Sequence, residues 1–152
     1  MLGRVVSGYG WECHAYCLMG THFHLLVTTP HPNLAAGMQR LKGAYAQAFN
    51  HGRRRSGHLF QGRYHAVLVE SDGHLLELYR YIALNPVRAG LCDRAIDWSW
   101  GSYPAAVGTA PRPSFVSGDT LLGHFGGDRI RAMSRLRRFV ETEADEWLLH
   151  AR

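Results

Sequence analysis

The chain has 152 residues, of which 46% are hydrophobic, which predicts one domain with its own core and a tail, and excludes two full domains. Lysine and arginine outnumber acidic residues 17 to 12 and the pI is about 9.4, which favours a polyanionic partner such as nucleic acid. Three cysteines, no signal segment and no long apolar run exclude a disulfide framework and a membrane span, and predict a cytoplasmic protein.

The first elements in chain order are a helix and a β-hairpin. Residues 1–10 predict the end of a helix and a glycine-marked turn, and residues 11–19 alternate as a strand does. Gly20 and Thr21 suit a two-residue turn into an antiparallel strand over residues 22–28.

A His-x-His pair begins this second strand. Successive side chains of a strand point to opposite faces, so His22 and His24 project together, while Phe23 and Leu25 are expected to enter the core. Two neighbouring imidazoles on a rigid strand can hold one divalent cation. A histidine pair by itself is also compatible with a structural role, so a metal site needs further ligands from elsewhere in the chain.

The next predicted element is a helix from Leu34 to about Asn50, with Asn33 placed to cap it. Its apolar positions recur at helical spacing and predict a buried stripe of Leu34, Met38, Leu41, Tyr45 and Phe49.

A basic loop over residues 51–58 then leads into a predicted third strand over residues 59–69. Cationic side chains neutralise phosphates and exposed rings stack on unpaired bases, so this segment is predicted to bind single-stranded nucleic acid. Phe60 taken alone is equally compatible with a core position. The candidate nucleic-acid contacts are Arg53, Arg54, Arg55, His58, Gln61, Arg63 and Tyr64.

A second helix is predicted from His74 to about Leu84, with a buried stripe that includes Tyr79. Tyr81 and Asn85 lie four residues apart and therefore on one flank of this helix, where a phenol and an amide can reach one phosphate. Two other interpretations stay open. Tyr81 can be a half-exposed surface ring, and Asn85 before Pro86 can cap a following turn.

The remaining chain predicts a linker over residues 106–118 and a basic helical tail over residues 119–152, with a helix from Asp128 to about Trp147. This helix either packs on the domain or grips DNA. Its apolar stripe and its arginines are Ile130, Met133, Leu136 and Val140, and Arg129, Arg131, Arg135, Arg137 and Arg138.

Four ordered blocks together resemble the REP-associated tyrosine transposases, single-tyrosine members of the His-hydrophobic-His family. The blocks span residues 14–27, 57–64, 81–91 and 98–103. The resemblance implies a catalytic domain over residues 1–105 with a ferredoxin-like α+β fold, an antiparallel sheet with helices on one face. It also implies that this chain starts after the first strand of the family's sheet.

For the site, the resemblance implies that His22, His24 and Asn85 bind Mg²⁺ or Mn²⁺, that Tyr81 is the nucleophile and that Arg88 contacts DNA. The expected activity is cleavage and rejoining of single-stranded DNA beside a hairpin through a 5′-phosphotyrosine. A non-catalytic binder of structured single strands is the alternative. A hydrolase that uses metal-activated water is a weaker alternative, because no carboxylate lies near either motif to act as the base. Glu77, one turn before Tyr81, is the nearest candidate. The sequence does not determine whether the protein is a monomer or a homodimer. It also does not determine whether Tyr81 meets His22 and His24 of its own chain or of a partner.

Overall fold

Helices and one antiparallel sheet make up the protein, which the computed structural model describes over residues 1–142. The predicted α+β class is confirmed, and the sheet of the described residues is a two-stranded hairpin. The residues group into two units. The first comprises Met1–Glu12 and Thr28–Leu68, and the second comprises Cys13–Val27 and the chain from Val69 onward. Within residues 1–142, every helix is too short or too polar to cross a bilayer.

The first unit packs two helices around Trp11. Helix α1 spans Leu2–Tyr9 and ends at Gly10, whose φ of 65° is a left-handed conformation that favours glycine. This confirms the predicted helix end and turn. Helix α2 spans Leu34–Arg53 and runs slightly beyond its predicted end. Trp11 is buried, and its indole ring lies directly over Gly37 of α2.

Asn33 occupies the predicted N-cap position of α2, but its side chain makes no capping hydrogen bond. Its Oδ1 accepts a hydrogen bond of 2.8 Å from Nε1 of Trp11, and its Nδ2 donates one of 2.8 Å to the carbonyl oxygen of Tyr9. The side chain therefore joins the ends of the two helices. The indole N–H of Trp11 takes the place of the backbone amide that would donate to a capping side chain.

The predicted hairpin is confirmed. Strand β1 spans Glu12–Leu18 and strand β2 spans Phe23–Thr28. The N–H of Met19 donates a hydrogen bond of 2.9 Å to the carbonyl of His22, which closes the two-residue turn between them.

The burial of β2 differs from the prediction. Leu26, two residues after His24 and therefore on the same strand face, is buried. Phe23 and Leu25, which were expected to enter the core, are only half-buried. Leu26 belongs to the core cluster that contains Tyr79, a residue of the helix over Asp72–Arg88. The face of β2 that carries His24 is therefore the face that meets the core.

The outer edge of β1 is covered by two later segments of the second unit. Covering an edge satisfies backbone groups that would otherwise be open to pairing with another chain. The tryptophan-containing block, residues 98–103, therefore has a clear structural role. The hydrogen bonds run from the N–H of Leu18 to Trp100, from Ser102 to Tyr16 and from Ser117 to Cys13, with lengths of 2.9, 2.9 and 2.8 Å.

The predicted third strand was wrong. Residues 59–69 form no strand in the structure, and the side chains of Val67 and Leu68 are 57% and 79% exposed. A strand needs a neighbouring backbone to satisfy its N–H and C=O groups. In the described part of the chain the sheet consists of β1 and β2 alone, so this β-prone sequence has no ladder to join.

Helix α3 spans Asp72–Arg88 and begins at Ser71, whose Oγ accepts a hydrogen bond of 3.2 Å from the N–H of His74. The predicted end near Leu84 was wrong, because the helix continues through Pro86. The N–H of Ala89 still donates to the carbonyl of Asn85, at 3.0 Å. Asn85 is therefore a residue of α3, and it does not cap a following turn.

The described part of the second unit also contains a short 3-10 helix at Ala95–Asp97 and three further α-helices, namely α4 at Tyr103–Ala106, α5 at Asp119–Gly123 and α6 at Arg129–Thr142. Leu136 and Val140 of α6 are fully buried in the core that also contains Tyr79.

Ile130 was wrongly placed in the apolar stripe of α6. Its side chain is 80% exposed, whereas Ala132 takes the buried position in that turn. Ala132, Leu136 and Val140 recur every four residues on the buried face of α6. Ile130 is two residues before Ala132 and therefore points to the opposite face of the helix. The predicted helix end near Trp147 lies outside the described residues.

Candidate active site

His22 is the last residue before β2 and His24 is the second residue of that strand, next to the hairpin turn that fixes the backbone. Their ring centroids are 5.0 Å apart and the rings are nearly perpendicular. His22 is exposed, and its Nδ1 lies 3.2 Å from Oγ1 of Thr21. His24 is half-buried because it lies on the core-facing side of the strand. One imidazole is thus open to solvent and its neighbour is enclosed by protein.

Helix α3 brings Tyr81 and Asn85 to His24. The centroid of the Tyr81 ring lies 5.4 Å from that of His24, with the rings edge to face, and the Asn85 side chain lies close enough to His24 to affect its pKa. Four candidate residues from two distant segments therefore meet in one place. The Tyr81 ring lies beside His24 of the same chain.

Burial sets the protonation preference of His24. The loss of solvent lowers its pKa, the nearby imidazole of His22 lowers it further, and the Asn85 side chain partly opposes both effects. A lowered pKa favours the neutral imidazole, which is the form that binds metals.

The donor set fits a divalent cation. Nε2 of His24 is buried and has no hydrogen-bond partner among the described residues, an arrangement that costs free energy unless a ligand satisfies the atom. Two imidazoles and an amide oxygen suit Mn²⁺ and, less well, Mg²⁺. Residues 1–142 contain no group of three or more His, Cys, Asp or Glu placed to hold a metal. A third protein ligand here would therefore be the Asn85 amide.

Arg88 lies beside the candidate nucleophile. Its guanidinium carbon is 5.5 Å from the centroid of the Tyr81 ring, within cation–π range. The sequence pattern grouped Arg88 with the DNA contacts and missed its contact with Tyr81. Helical spacing could have predicted this contact, because Tyr81 and Arg88 are seven residues apart and therefore lie on the same face of the helix, two turns from each other.

Glu77, the nearest candidate for a general base, forms an ion pair with Arg80. The two side chains form an ion pair of 2.5 Å within α3. Arg80 is buried, and its guanidinium also lies 4.8 Å from the centroid of the Phe139 ring of α6. Glu77 therefore serves to neutralise a buried cation, which weakens the hydrolase alternative.

The candidate nucleic-acid contacts of the basic segment lie in the first unit. Arg53 is the last residue of α2, and Arg54 has a left-handed conformation with a φ of 51° that ends the helix. Tyr64 is half-buried. The other contacts are exposed, namely Arg53, Arg54, Arg55, His58, Gln61 and Arg63.

The arginines of α6 are largely engaged within the chain. Two of them contact carboxylates outside α6, one contacts a carboxylate of α6 itself and one contacts a backbone carbonyl. This pattern favours a packing role for α6 over a free basic surface. The contacts are Arg129 with Asp119 at 2.9 Å, Arg131 with Asp128 at 3.3 Å, Arg137 with Glu141 at 3.1 Å and Arg135 with the carbonyl of Phe125 at 2.6 Å.

The cysteines are free thiols, and two of them are deeply buried. Burial raises the pKa of Cys13 to about 12 and that of Cys17 to about 11, so neither is a thiolate at neutral pH. We expect a thiol reagent at about pH 8 to label Cys92 at least roughly 100-fold faster than the other two. Time-resolved labelling with mass spectrometry measures this, and unfolding should equalise the three rates. Fast native labelling of Cys13 would contradict the buried hairpin face.

Comparison with known proteins identifies the family of the chain. The family model described as IS200-like transposase matches residues 1–85. A protein of Haemophilus influenzae named as a REP-associated tyrosine transposase is 29% identical over 106 residues, which cover 62% of this chain. The match spans 60% of the relative's length. No solved structure matches the chain significantly. Since the family model covers more than half of its residues, the chain belongs to the IS200-like transposase family.

Proposed function

We propose that the protein cleaves and rejoins single-stranded DNA beside a hairpin, with Tyr81 as the nucleophile. The observation that carries the proposal is the contact of His24 with both Tyr81 and Asn85, next to His22. The chain belongs to a family of transposases, which are proteins that move DNA segments.

In the forward step the Tyr81 phenol loses its proton and its oxygen forms a bond to phosphorus. The bond from phosphorus to the 3′ oxygen breaks, and that oxygen leaves with a proton as a free 3′-hydroxyl. The result is a 5′-phosphotyrosine. Rejoining reverses the exchange when a 3′-hydroxyl attacks the same phosphorus and releases the phenol. The phosphodiester energy is kept because a phenolate, with an ordinary pKa of about 10, is also a good leaving group.

His22, His24 and Asn85 would hold Mg²⁺ or Mn²⁺, and a bound cation would offset the negative charge that develops on the phosphate. His24 orients the other groups, because it contacts the nucleophile on one side and the amide on the other. Arg88 adds positive charge beside the Tyr81 ring, where an anionic DNA backbone must approach.

The test of the metal site is direct binding of Mn²⁺, measured by the electron paramagnetic resonance of the free ion. We expect His24→Ala to weaken Mn²⁺ binding by about 10- to 100-fold, since it removes one ligand and the neighbour that orients Asn85. His31→Ala removes a histidine from an exposed loop and is the matched control. Equal Mn²⁺ affinity in the wild type and both variants would exclude the site.

The test of the activity uses the full chain, Mn²⁺ and an end-labelled single-stranded hairpin. A labelled protein band that survives denaturing electrophoresis and disappears with a chelator is the expected result. Hairpin binding without such a band would favour the non-catalytic binder.

A further inference from the structure

A row of three aromatic side chains lies along one face of α2 in the first unit. The Tyr45 ring stacks near Phe49, with centroids 6.2 Å apart and planes inclined by 29°. The centroid of the Phe60 ring, from the loop after the helix, lies 6.1 Å from that of Tyr45, with the planes inclined by 50°. We call these residues, Tyr45, Phe49 and Phe60, the aromatic row.

The loop that contributes Phe60 is tied to α2 at two points. Nδ2 of Asn50 donates a hydrogen bond of 2.9 Å to the carbonyl of Gly57, and the ammonium of Lys42 donates to the carbonyl of Gly62. Lys42 also lies 4.8 Å from the centroid of the Phe60 ring. These contacts on either side of Phe60 hold its ring against Tyr45, so the aromatic row is ordered before any ligand arrives.

The aromatic row is not the buried stripe that the helical periodicity predicted. Met38 and Leu41, in the first half of α2, are buried, but Tyr45 is 49% exposed. The apolar stripe therefore changes its environment along the helix. Its first half packs in the core of the unit, whereas Tyr45 in its second half is exposed and Phe49 is half-buried.

The segment that contains the row carries basic residues and no acidic ones. Residues 28–68 contain six lysines and arginines and no aspartate or glutamate. The whole chain has a net charge of only +5, so the positive charge is concentrated in this segment. Arg53 lies 5.8 Å from the centroid of the Phe49 ring, at one end of the row. Three of the five arginines of α6, in contrast, form ion pairs with carboxylates of their own unit.

We propose that the aromatic row is a stacking platform for the unpaired bases of single-stranded DNA. Stacked rings accept any base face, and cations on the same surface neutralise the phosphates between the bases. A second copy of the chain fits this surface poorly, because two segments without acidic residues would repel each other. The inference rests on the single-strand binding of the proposed function, but it requires neither the metal nor Tyr81.

The test measures affinity with the full chain in a chelator, so that no cleavage contributes. The probes are a thymidine oligonucleotide of about 12 nucleotides and an abasic strand of the same length, which keeps the phosphates but has no bases. We expect Tyr45→Leu to weaken thymidine binding by roughly 5- to 50-fold and to leave abasic binding unchanged. Leucine suits a helix and Tyr45 is half exposed, so the fold should persist, and circular dichroism checks it.

Arg55→Gln is the matched electrostatic variant, because Arg55 is an exposed cation of the same unit. It should weaken both probes equally and reduce the salt dependence by about 0.7 per lost phosphate contact. Equal loss of both probes in Tyr45→Leu, or no loss, would overturn the platform. So would self-association that Tyr45→Leu abolishes, since that result assigns the surface to a second copy.

Photocrosslinking with 5-iododeoxyuridine gives an answer that does not depend on affinity. The crosslinked peptides should contain Tyr45, Phe49 or Phe60, and crosslinks confined to other segments would contradict the platform. Loss of base-dependent binding with a persisting covalent adduct would reject this inference alone. Base-dependent binding without any adduct would reject the proposed catalysis alone.

Discussion

Tyr81→Phe is expected to abolish the covalent DNA adduct completely while hairpin affinity changes by less than about twofold. The substitution removes one oxygen, which is the atom that would bond to phosphorus, and keeps the ring that contacts His24 and Arg88. The measurement combines denaturing electrophoresis of end-labelled DNA with a binding titration of the same protein. A rate loss of many orders of magnitude without a loss of affinity identifies a nucleophile.

Tyr79→Phe is the matched control, two residues earlier on the same helix. Tyr79 is fully buried, and its hydroxyl has no hydrogen-bond partner among the described residues. Its loss should therefore leave both the fold and the adduct intact. An adduct that persists in Tyr81→Phe would exclude Tyr81 as the nucleophile, and loss of the adduct in both variants would indicate damage to α3.

Gly37→Ala should destabilise the first unit by about 2 to 3 kcal/mol, because a buried ring would have to move. A methyl group at this position would lie 2.1 Å from Cζ2 of Trp11. The same indole donates the hydrogen bond to Asn33, so its displacement also strains the connection between α1 and α2. Urea unfolding followed by tryptophan fluorescence and circular dichroism measures the loss.

Gly43→Ala tests the same substitution in the same helix without the contact. A methyl group at Gly43 meets no atom within 4 Å. Alanine is a better helix former than glycine, so this variant should gain about 0.5 to 1 kcal/mol. Opposite signs for the two variants are the expected pattern. A stabilising Gly37→Ala would mean that Trp11 does not pack over α2.

Local patterns predicted the elements that depend on neighbours in sequence. Gly10 ends α1 and Gly20 and Thr21 turn the hairpin as expected, because backbone conformation and turn length are local properties. The same kind of reasoning was wrong at Pro86, where the helix continues. Proline inside a helix has a limited free-energy cost, and the burial of Pro86 in the second unit offsets that cost here.

The wrongly predicted third strand shows more clearly what local sequence patterns do not determine. Residues 59–69 have β-prone composition, but a strand is completed only by the backbone of a neighbour. The aromatic row makes the same point for burial. Periodicity places Tyr45 on the stripe of Met38 and Leu41, and only the packing of the unit determines that Met38 and Leu41 are covered and Tyr45 is half exposed.

The sequence by itself determined which chemistry is available, namely a histidine pair on a strand, a tyrosine and an amide one helical turn apart, and a segment with cations and no acids. Only the tertiary structure decided that these groups meet. Strand alternation fixes that His22 and His24 share a face, but the packing of the second unit decides that this face meets the core and that His24 contacts Tyr81. Contacts between residues distant in sequence depend on the whole packed core, which no local pattern encodes.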